Sequence, residues 1–282
     1  MYRSQKAGKI AGMTATYIVL IAAAVICLFP FAWLVSTAFK ETSEIYRMPP
    51  TLLPSGLAFD NFIEGWQGAD FGLYFRNSLF VTVLATVGTV VSSSFVAYGF
   101  ARFRSRTSGL LFTVLLATLM LPTQVTLIPQ YLMFNNLGMI NTYWPLIIPS
   151  WLGGGAFNIF LFIQFFRTLP RELDEAAKVD GANSFQIFCR ILLPSVKPVI
   201  LAVLVMALVF NWNDFFGPLI YLNDNRKFTI AVGLQFFKSA QGNVKMGQMM
   251  AMAFVALLPV LVIFAACQKY FIQGIKMSGL KG

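Results

Sequence analysis

Long runs without a charged residue constrain the fold of this chain more than any other feature. Residues 10–39 and 107–166 contain no Asp, Glu, Lys or Arg, and a helix over the first run would be about 45 Å long at 1.5 Å per residue. The hydrocarbon core of a bilayer is about 30 Å thick. Only 11% of all residues are charged, against about 25% in soluble domains. We therefore predict an all-α membrane protein.

The apolar runs predict six transmembrane helices. A signal-peptide core has about 7–15 apolar residues, which is shorter than the first run, so we interpret that run as a retained helix. The segment LIPQYLMFNNLGMINTYW alternates apolar and polar residues, which predicts a short surface helix between the third and fourth spans. The expected spans, in a single domain over residues 1–282, are 12–38, 78–100, 108–126, 144–166, 198–221 and 247–268.

The distribution of Lys and Arg predicts the orientation in the membrane. Of the 21 basic residues, fourteen lie on one side of the predicted spans, at both chain ends and in the segments 102–106 and 167–197. Seven lie on the other side. Since basic residues accumulate in cytoplasmic loops, we expect both termini to be cytoplasmic. The short basic clusters do not form the continuous patch that nucleic-acid binding requires, so no nucleic-acid partner is expected.

Several kinds of functional site are excluded by composition. The chain has no histidine, which removes the Ser-His-Asp triad and the H-E-x-x-H zinc site. Cys27, Cys189 and Cys267 are too widely spaced for a metal motif, and we predict no disulfide. No G-x-x-x-x-G-K-[ST] sequence occurs, so the chain does not bind a nucleotide through a P-loop. No catalytic residue and no metal ligand are predicted.

The segment 167–197 is charged and lies between two apolar runs. Pro170 and the acidic residues that follow it predict a helix start. Leu173, Ala176 and Ala177 would share one small apolar face, and Gly181 would end this helix. Asn183 or Ser184 is expected to cap a second short helix, which carries Phe185 and Phe188 on one side. Such a helix pair suits docking into a groove of a partner; the alternative is a solvated linker.

This segment carries a recognisable motif. Glu175, Ala176 and Ala177 are followed after three residues by Gly181 and after nine more by ILLP at 191–194. The pattern resembles the signature of permease subunits of ABC importers. The stretches LPTQVTLIPQYLMFNNLGMINTYW and FNWNDFFGPL and the ending LKG resemble the carbohydrate-uptake group, in particular its smaller maltose-type (MalG-like) permease subunit.

The resemblance implies a mechanism and a set of partners. In that family the short helix of this loop lies in a cleft of a cytoplasmic ATPase and moves with it. The expected partners are a second permease subunit, two ATP-binding subunits, an extracytoplasmic sugar-binding protein and membrane lipid, in a bacterial or archaeal cytoplasmic membrane. ATP and Mg would be bound by the ATPase and no cofactor by this chain. The tail after Lys276 is expected to reach the ATPase. The implied coupling residues are Leu173, Glu175, Ala176, Ala177, Asp180, Gly181, Ile191, Leu193 and Pro194.

Three polar residues in the fifth apolar run have two interpretations. Asn211, Asn213 and Asp214 surround Trp212. They either line a path for sugar hydroxyls or make structural hydrogen bonds, because a charge in the hydrocarbon core costs about 2.5–3.5 kcal/mol unless it has a partner or a cavity. The outer loops 40–76 and 223–246 are either a surface for the binding protein or ordinary solvated loops.

Two other functions are weighed against the importer. An ion-coupled secondary transporter would need intramembrane acids or histidines to carry its coupling ion, and Asp214 is the one acid inside a predicted span. An intramembrane enzyme would need paired acids or an activated nucleophile. A single acid, the absence of histidine and the coupling motif count against the transporter, and no such set of residues is found for the enzyme. A purely structural membrane anchor is a third alternative, but it would have no use for a docking loop.

Overall fold

The computed structural model describes residues 2–68, 70–103, 105–237 and 245–279. Every regular element in these residues is helical, with no strand among them. Short 3₁₀ turns follow α13 and α14, and a π-helical turn over Phe188–Leu192 follows α10. The α-helices are α1 Tyr2–Ala38, α2 Thr42–Ile45, α3 Asp60–Gly68, α4 Phe71–Arg102, α5 Ser108–Thr118, α6 Thr123–Asn136, α7 Trp144–Trp151, α8 Ala156–Thr168, α9 Glu172–Val179, α10 Ser184–Ile187, α11 Leu193–Ser195, α12 Lys197–Trp212, α13 Phe216–Tyr221, α14 Ile230–Gly233 and α15 Met246–Gly279.

Four helical stretches among the described residues are long and apolar enough to cross a membrane. They are Gly12–Ala38, Phe71–Arg102, Trp144–Thr168 and Met246–Gln268. A fifth is counted if Ser184–Ser195 and Lys197–Trp212, which meet at 83°, form one bent span. The all-helical membrane fold is therefore confirmed, while the six spans and the cytoplasmic termini stay predictions.

The predicted third span is not one helix. α5 ends at Thr118 after 11 residues, about 17 Å at 1.5 Å per residue, and α6 begins at Thr123. Pro122 has an extended backbone (φ −60°, ψ 135°). Proline lacks a backbone N–H and disfavours helical geometry in the residue before it, so the helix predicted over 108–126 breaks here. The short helix expected within 127–144 corresponds to the later part of α6, which ends at Asn136; its position at the membrane surface stays a prediction.

The described chain divides into two compact units. The first consists of Met1–Phe71 and Leu234–Ala256, and the second of Gly72–Gly233 and Leu257–Gly282. The second unit holds the charged segment 167–197 and a core cluster in which Phe162, Ile163 and Leu192 are fully buried. This core therefore includes part of the charged segment itself.

In the first unit, a buried lysine and a buried glutamate organise the loop after α1. Lys40 is 2% exposed, donates a hydrogen bond to the Thr51 carbonyl and lies 4.8 Å from the centre of the Trp33 ring. The Glu44 carboxylate accepts hydrogen bonds from the Ser55 amide (3.1 Å), the Ser55 hydroxyl (2.8 Å) and the Thr51 hydroxyl (2.9 Å). The bonds from Ser55 hold the pKa of Glu44 below its ordinary value of 4.5.

We expect Glu44→Ala to open this loop and expose Lys40. The substitution removes the acceptor that holds Thr51 and Ser55, and hydrogen bonds to a charged acceptor are stronger than those between neutral groups. Labelling of the Lys40 amine by an amine-reactive reagent, followed by mass spectrometry, should rise severalfold over the wild type. Glu41→Ala is the control, because Glu41 is exposed. Equal labelling in both variants would contradict the role given to Glu44.

In the second unit, three glycines separate α7 from α8 and let this stretch approach α4. Gly153, Gly154 and Gly155 all have positive φ, at 108°, 66° and 89°. A Cβ on Gly154 would lie 2.5 Å from the Thr89 carbonyl oxygen. Next to this contact, the Trp151 indole donates a hydrogen bond of 3.1 Å to the Leu84 carbonyl. Gly154 thus allows this stretch to pack closely against α4, where a larger side chain would not fit.

Gly154→Ala should destabilise the protein by about 2 kcal/mol or more, because it adds both backbone strain and an overpacked contact. The measurement is the Tm of the detergent-solubilised protein by fluorescence-detected size-exclusion chromatography. Gly109→Ala in α5 provides the control, since a Cβ there meets no atom within 4 Å. If both variants have the Tm of the wild type, Gly154 is not required for the close approach to α4.

Candidate functional site

The charged segment 167–197 folds into the predicted pair of short helices. α9 spans Glu172–Val179 and carries Glu172, Asp174 and Glu175 in its first turn and Lys178 in its last. Carboxylates near the N-terminus and a cation near the C-terminus both interact favourably with the helix dipole. α10 spans Ser184–Ile187 and leads through the π-helical turn into α11.

Gly181 turns the chain between the two helices, as the sequence predicts. Its φ is +81°, a left-handed conformation that costs glycine little. The Ala182 amide donates to the Ala177 carbonyl (2.9 Å) and the Gly181 amide to the Lys178 carbonyl (3.0 Å). Together these bonds form a Schellman motif, which satisfies the last carbonyls of α9.

Of the two candidate caps for α10, the structure uses Asn183. Its side-chain oxygen accepts a hydrogen bond from the Gln186 amide, and the Gln186 side chain accepts one from the Asn183 amide, both at 2.9 Å. This reciprocal pair is a capping box. It fixes the start of a helix of only 4 residues, too short to be stable by propensity alone.

The residues predicted to share one apolar face of α9 differ in their exposure to solvent. Ala177 is 7% exposed and belongs to the core cluster, whereas Ala176 is exposed and Leu173 is 40% exposed. The outer face is formed instead by positions spaced 3, 4 and 7 apart, which lie on one side of a helix. All are exposed, and Val179 is 88% exposed. The residues of this face are Glu172, Glu175, Ala176 and Val179.

Phe185 and Phe188 were predicted on one side of the second helix but differ in burial. Phe185 is 63% exposed and Phe188 is 5% exposed. Burial begins only at Ile187, which is 1% exposed, so the first turn of α10 stands outside the core. We name the outer face of α9 together with Phe185 the docking surface. The sequence did not indicate Val179, and it grouped Phe185 with Phe188, since periodicity alone does not show which turn reaches the core.

The other implied coupling residues lie away from the docking surface or at its edge. Ile191 and Leu193 are partly buried against the core cluster. Pro194 is exposed in the first turn of α11, where its missing N–H costs nothing. Asp180 is exposed and caps the C-terminus of α9, with its amide donating to the Ala176 carbonyl at 3.1 Å. A role of these residues in coupling stays a prediction.

A buried ion pair connects α9 to the end of α4. The Arg102 Nε lies 2.7 Å from the Asp174 Oδ2, and the two side chains are only 7% and 13% exposed. Both terminal guanidinium nitrogens donate to the Leu169 carbonyl at 3.2 Å. One arginine therefore holds the start of α9 and the chain leading into it. Sequence analysis used Arg102 only for orientation and Asp174 only for the helix dipole.

The second helix is also tied to α4. The Tyr98 hydroxyl donates to the Ser184 carbonyl at 3.0 Å. The Phe188 ring contacts the rings of Tyr98 and Phe95 on α4, with centroids 5.1 and 5.5 Å away, and that of Phe166 on α8 at 6.4 Å. Hydrogen bonds at one end and packed rings at the other join the helix pair to α4 as one body.

Removing one member of the ion pair should destabilise the protein strongly, because the remaining charge stays buried without its partner. Arg102→Leu or Asp174→Leu alone should cost about 3–5 kcal/mol, and the double variant less than the sum. The Tm of the solubilised protein measures this double-mutant cycle. Glu172→Leu, at an exposed acid on the same helix, should leave the Tm nearly unchanged. Additive effects would show that the pair does not act as a unit.

The three polar residues of the fifth apolar run all make local hydrogen bonds. The Asn211 and Asn213 side chains donate to the Ala207 and Val209 carbonyls, four residues earlier, at 2.7 and 2.8 Å. The Asp214 carboxylate accepts from the Gly217 amide, in the first turn of α13, at 3.1 Å. The segment 198–221, predicted as one helix, forms two: α12 ends at Trp212, and α13 follows from Phe216. These contacts show structural hydrogen bonding; a role in lining a sugar path stays a prediction.

Two predicted features lie wholly or partly outside what the structure describes. The ending LKG at 280–282 lies outside the described residues, and for 276–279 only the helical backbone of α15 is described. Within the outer loop 223–246, residues 238–244 lie outside them as well. Among the residues that are described, no group of three or more His, Cys, Asp or Glu could hold a metal ion.

Comparison with known proteins identifies the family. Residues 89–277 match the family described as binding-protein-dependent transport system inner membrane component. The chain belongs to this family. It is thus a multi-pass inner-membrane permease subunit and not an enzyme, and the predicted membership among ABC importer permeases is confirmed.

Three relatives align with this chain over nearly its whole length. The probable ABC transporter permease protein YurM of Bacillus subtilis (strain 168) is 35% identical over 96% of this chain and 89% of its own length. The lactose transport system permease protein LacG of Rhizobium radiobacter is 36% identical over 92% of this chain and 93% of its own length. The melibiose/raffinose/stachyose import permease protein MelC of B. subtilis is 32% identical, with 94% and 96% covered.

A solved structure shares the fold. A chain of a bacterial ABC transporter involved in the import of the acidic polysaccharide alginate superposes with a TM-score of 0.81, covering 93% of this chain and 97% of that chain. The sequences are 23% identical, so this likeness concerns the fold. The same fold occurs in the alginate transporter in complex with an alginate-bound periplasmic protein, with a TM-score of 0.67 and 19% identity.

Proposed function

We propose that this chain is a permease subunit of an ATP-driven importer for a sugar or oligosaccharide in a bacterial or archaeal cytoplasmic membrane. It would form the translocation path with a second permease subunit and receive substrate from an extracytoplasmic sugar-binding protein. Two ATP-binding subunits would drive it through the segment 167–197. The observation that carries this proposal is a docking surface whose tip is exposed while its base is bound to α4 by a buried ion pair.

The substrate class follows from the relatives. Their names assign lactose, melibiose, raffinose, stachyose and arabinooligosaccharides as substrates. Another relative, the sn-glycerol-3-phosphate permease UgpE of Yersinia enterocolitica, is 31% identical. These substrates all carry several hydroxyl groups, and most are oligosaccharides. An oligosaccharide is therefore the substrate class that we assign to the importer, with a polyol phosphate as the comparison compound.

The docking surface is suited to a cleft in an ATPase. Ala176 keeps the outer face of α9 narrow, and Val179 and Phe185 present apolar side chains that are 88% and 63% exposed. Exposed apolar side chains on a short helix are typical anchors for a groove on a partner. Glu175 adds a negative charge that a basic residue of the ATPase would neutralise. ATP and Mg would be bound by that subunit.

The contacts below the docking surface give a route for movement. A displacement of α9 would act on α4 through Asp174 and Arg102, and a displacement of α10 would act through Phe188 and Tyr98. Along the chain, α10 and α11 lead into α12, which leaves at 83°. Packed, hydrogen-bonded elements move together because protein interiors are densely packed and resist compression. Movement of the ATPase would therefore shift α4 and α12 together.

Two features of membrane topology belong to this proposal. Six spans would result if α5 and α6, on either side of Pro122, together cross the membrane once. The helices α12 and α13, on either side of Asp214, would have to do the same. Both termini and the docking surface would then be cytoplasmic, as the excess of basic residues on that side predicts. The alternative, an ion-coupled secondary transporter, would run on an ion gradient without ATP.

We expect Glu175→Lys and Gly181→Pro to abolish coupling while the protein stays in the membrane. Lysine reverses the charge at position 175, and proline cannot adopt the φ of +81° at Gly181. ATP-dependent sugar uptake and co-purification of the ATPase from native membranes should fall roughly tenfold or more, the loss expected for an interface hot spot. Glu41→Lys in the loop after α1 makes the same charge change at an exposed acid and is the control for co-purification of the ATPase.

The outcomes separate coupling from transport in general. Wild-type uptake in both variants would contradict the assignment of the docking surface. Uptake by the wild type that needs an ion gradient but no ATP would instead support the secondary transporter. Stimulation of ATP hydrolysis by oligosaccharides with the binding protein, but not by sn-glycerol-3-phosphate, is the result expected for the substrate class.

A further inference from the structure

A basic cavity lies where α4, α5 and α8 end or begin, apart from the docking surface. Its volume is about 350 Å³. Arg102 ends α4, Arg167 lies in the last turn of α8, Arg171 precedes α9 and Ser108 begins α5, and all four line this cavity. None of the described residues that line it is acidic. The Ser108 hydroxyl donates to the Ser105 carbonyl at 2.8 Å, and the Arg102 guanidinium donates to the Leu169 carbonyl, so the donors that are left for a ligand are those of Arg167 and Arg171.

The charge of Arg102 is already neutralised, whereas Arg167 and Arg171 form no ion pair among the described residues. Arg171 also borders a second cavity, which is lined by Asp174 and Glu175, so Arg167 is the arginine with no acid in either lining. Arg102 pairs with Asp174, which lies outside the cavity lining. The Arg167 guanidinium carbon lies 5.6 Å from the centre of the Phe112 ring, a contact that orients the group without cancelling its charge. Arg167 and Arg171 are both exposed. The cavity therefore keeps an excess of positive charge that suits an anion with several oxygens.

We propose that this cavity binds the phosphate group of an anionic phospholipid headgroup. Arginine donates in a planar fork that matches phosphate oxygens, and basic pockets between membrane helices at the cytoplasmic side are sites for anionic headgroups. The cavity lies at the ends of apolar helices, the level at which lipid headgroups meet membrane-spanning segments.

The surroundings of the cavity favour a lipid over a free phosphate ion. α5, which begins at Ser108, exposes Leu110, Leu111 and Val114 by 68%, 54% and 53%. The Phe103 ring, also 53% exposed, lines the cavity itself. Exposed apolar side chains next to a cluster of arginines offer acyl chains a surface beside the headgroup site. A free phosphate ion would use only the arginines.

The test counts lipids bound to the assembled importer. The complex is purified in detergent, delipidated and incubated with equal amounts of phosphatidylglycerol and phosphatidylcholine, and native mass spectrometry counts the lipids that remain bound. The variant Arg167→Gln/Arg171→Gln removes two charges from the cavity. Arg190→Gln/Lys197→Gln removes two exposed charges from the same segment without touching the cavity lining, and so controls for net charge. Equal Tm values confirm that both variants are folded.

The expected result is a preference of the wild type for phosphatidylglycerol that falls about fivefold for each cavity arginine removed and is kept in the control variant. An equal loss in both variants would overturn the proposal, since general surface charge would then explain binding. Displacement of phosphatidylglycerol by inorganic phosphate alone would show a free-ion site and overturn it too. Lipid bound by the isolated permease but not by the assembled complex would assign the cavity to a protein contact instead.

Discussion

The buried pair of Arg102 and Asp174 is the constraint on which the arrangement of the charged segment depends. It joins the last residue of α4 to the first turn of α9 at 2.7 Å, and the same guanidinium group holds the Leu169 carbonyl. Two charges at this degree of burial are stable only when they are matched. The start of α9 therefore has one favourable position relative to α4, and the outer face of α9 is oriented as a consequence.

From this anchor the two functional regions of the second unit diverge. On the outer side, α9 and α10 present narrow and apolar side chains, which are suited to insertion into a partner. Next to it, Arg167 and Arg171 border a cavity. Arg102 contributes to both regions, because its charge is used by Asp174 while its side chain lines the cavity. The proposed ATPase contact and the proposed lipid site thus share one ion pair.

Much of this arrangement follows from local sequence rules, and the remainder depends on contacts between distant residues. Gly181 and Asn183 were predictable because the turn and the cap require their particular backbone and side-chain properties. The break between α5 and α6 follows from Pro122. It was not predicted because the hydropathy of an apolar run does not distinguish one long helix from two shorter ones. The pairing of Arg102 with Asp174 was not predictable, because nothing in either residue's neighbourhood indicates which of the many charges along the chain it meets. The exposure of Val179 was not predictable for the same reason, because it depends on which face of the helix pair packs against the core.

The exposure of Val179 and Phe185 has a consequence for the biogenesis of the subunit. A side chain that is 88% exposed in the isolated chain is an uncovered apolar contact until a partner occupies it, and uncovered patches favour self-association. A copy without its partners would therefore expose two apolar side chains to water, one on α9 and one on α10. The tendency to self-associate should be greatest before assembly, when nothing covers them.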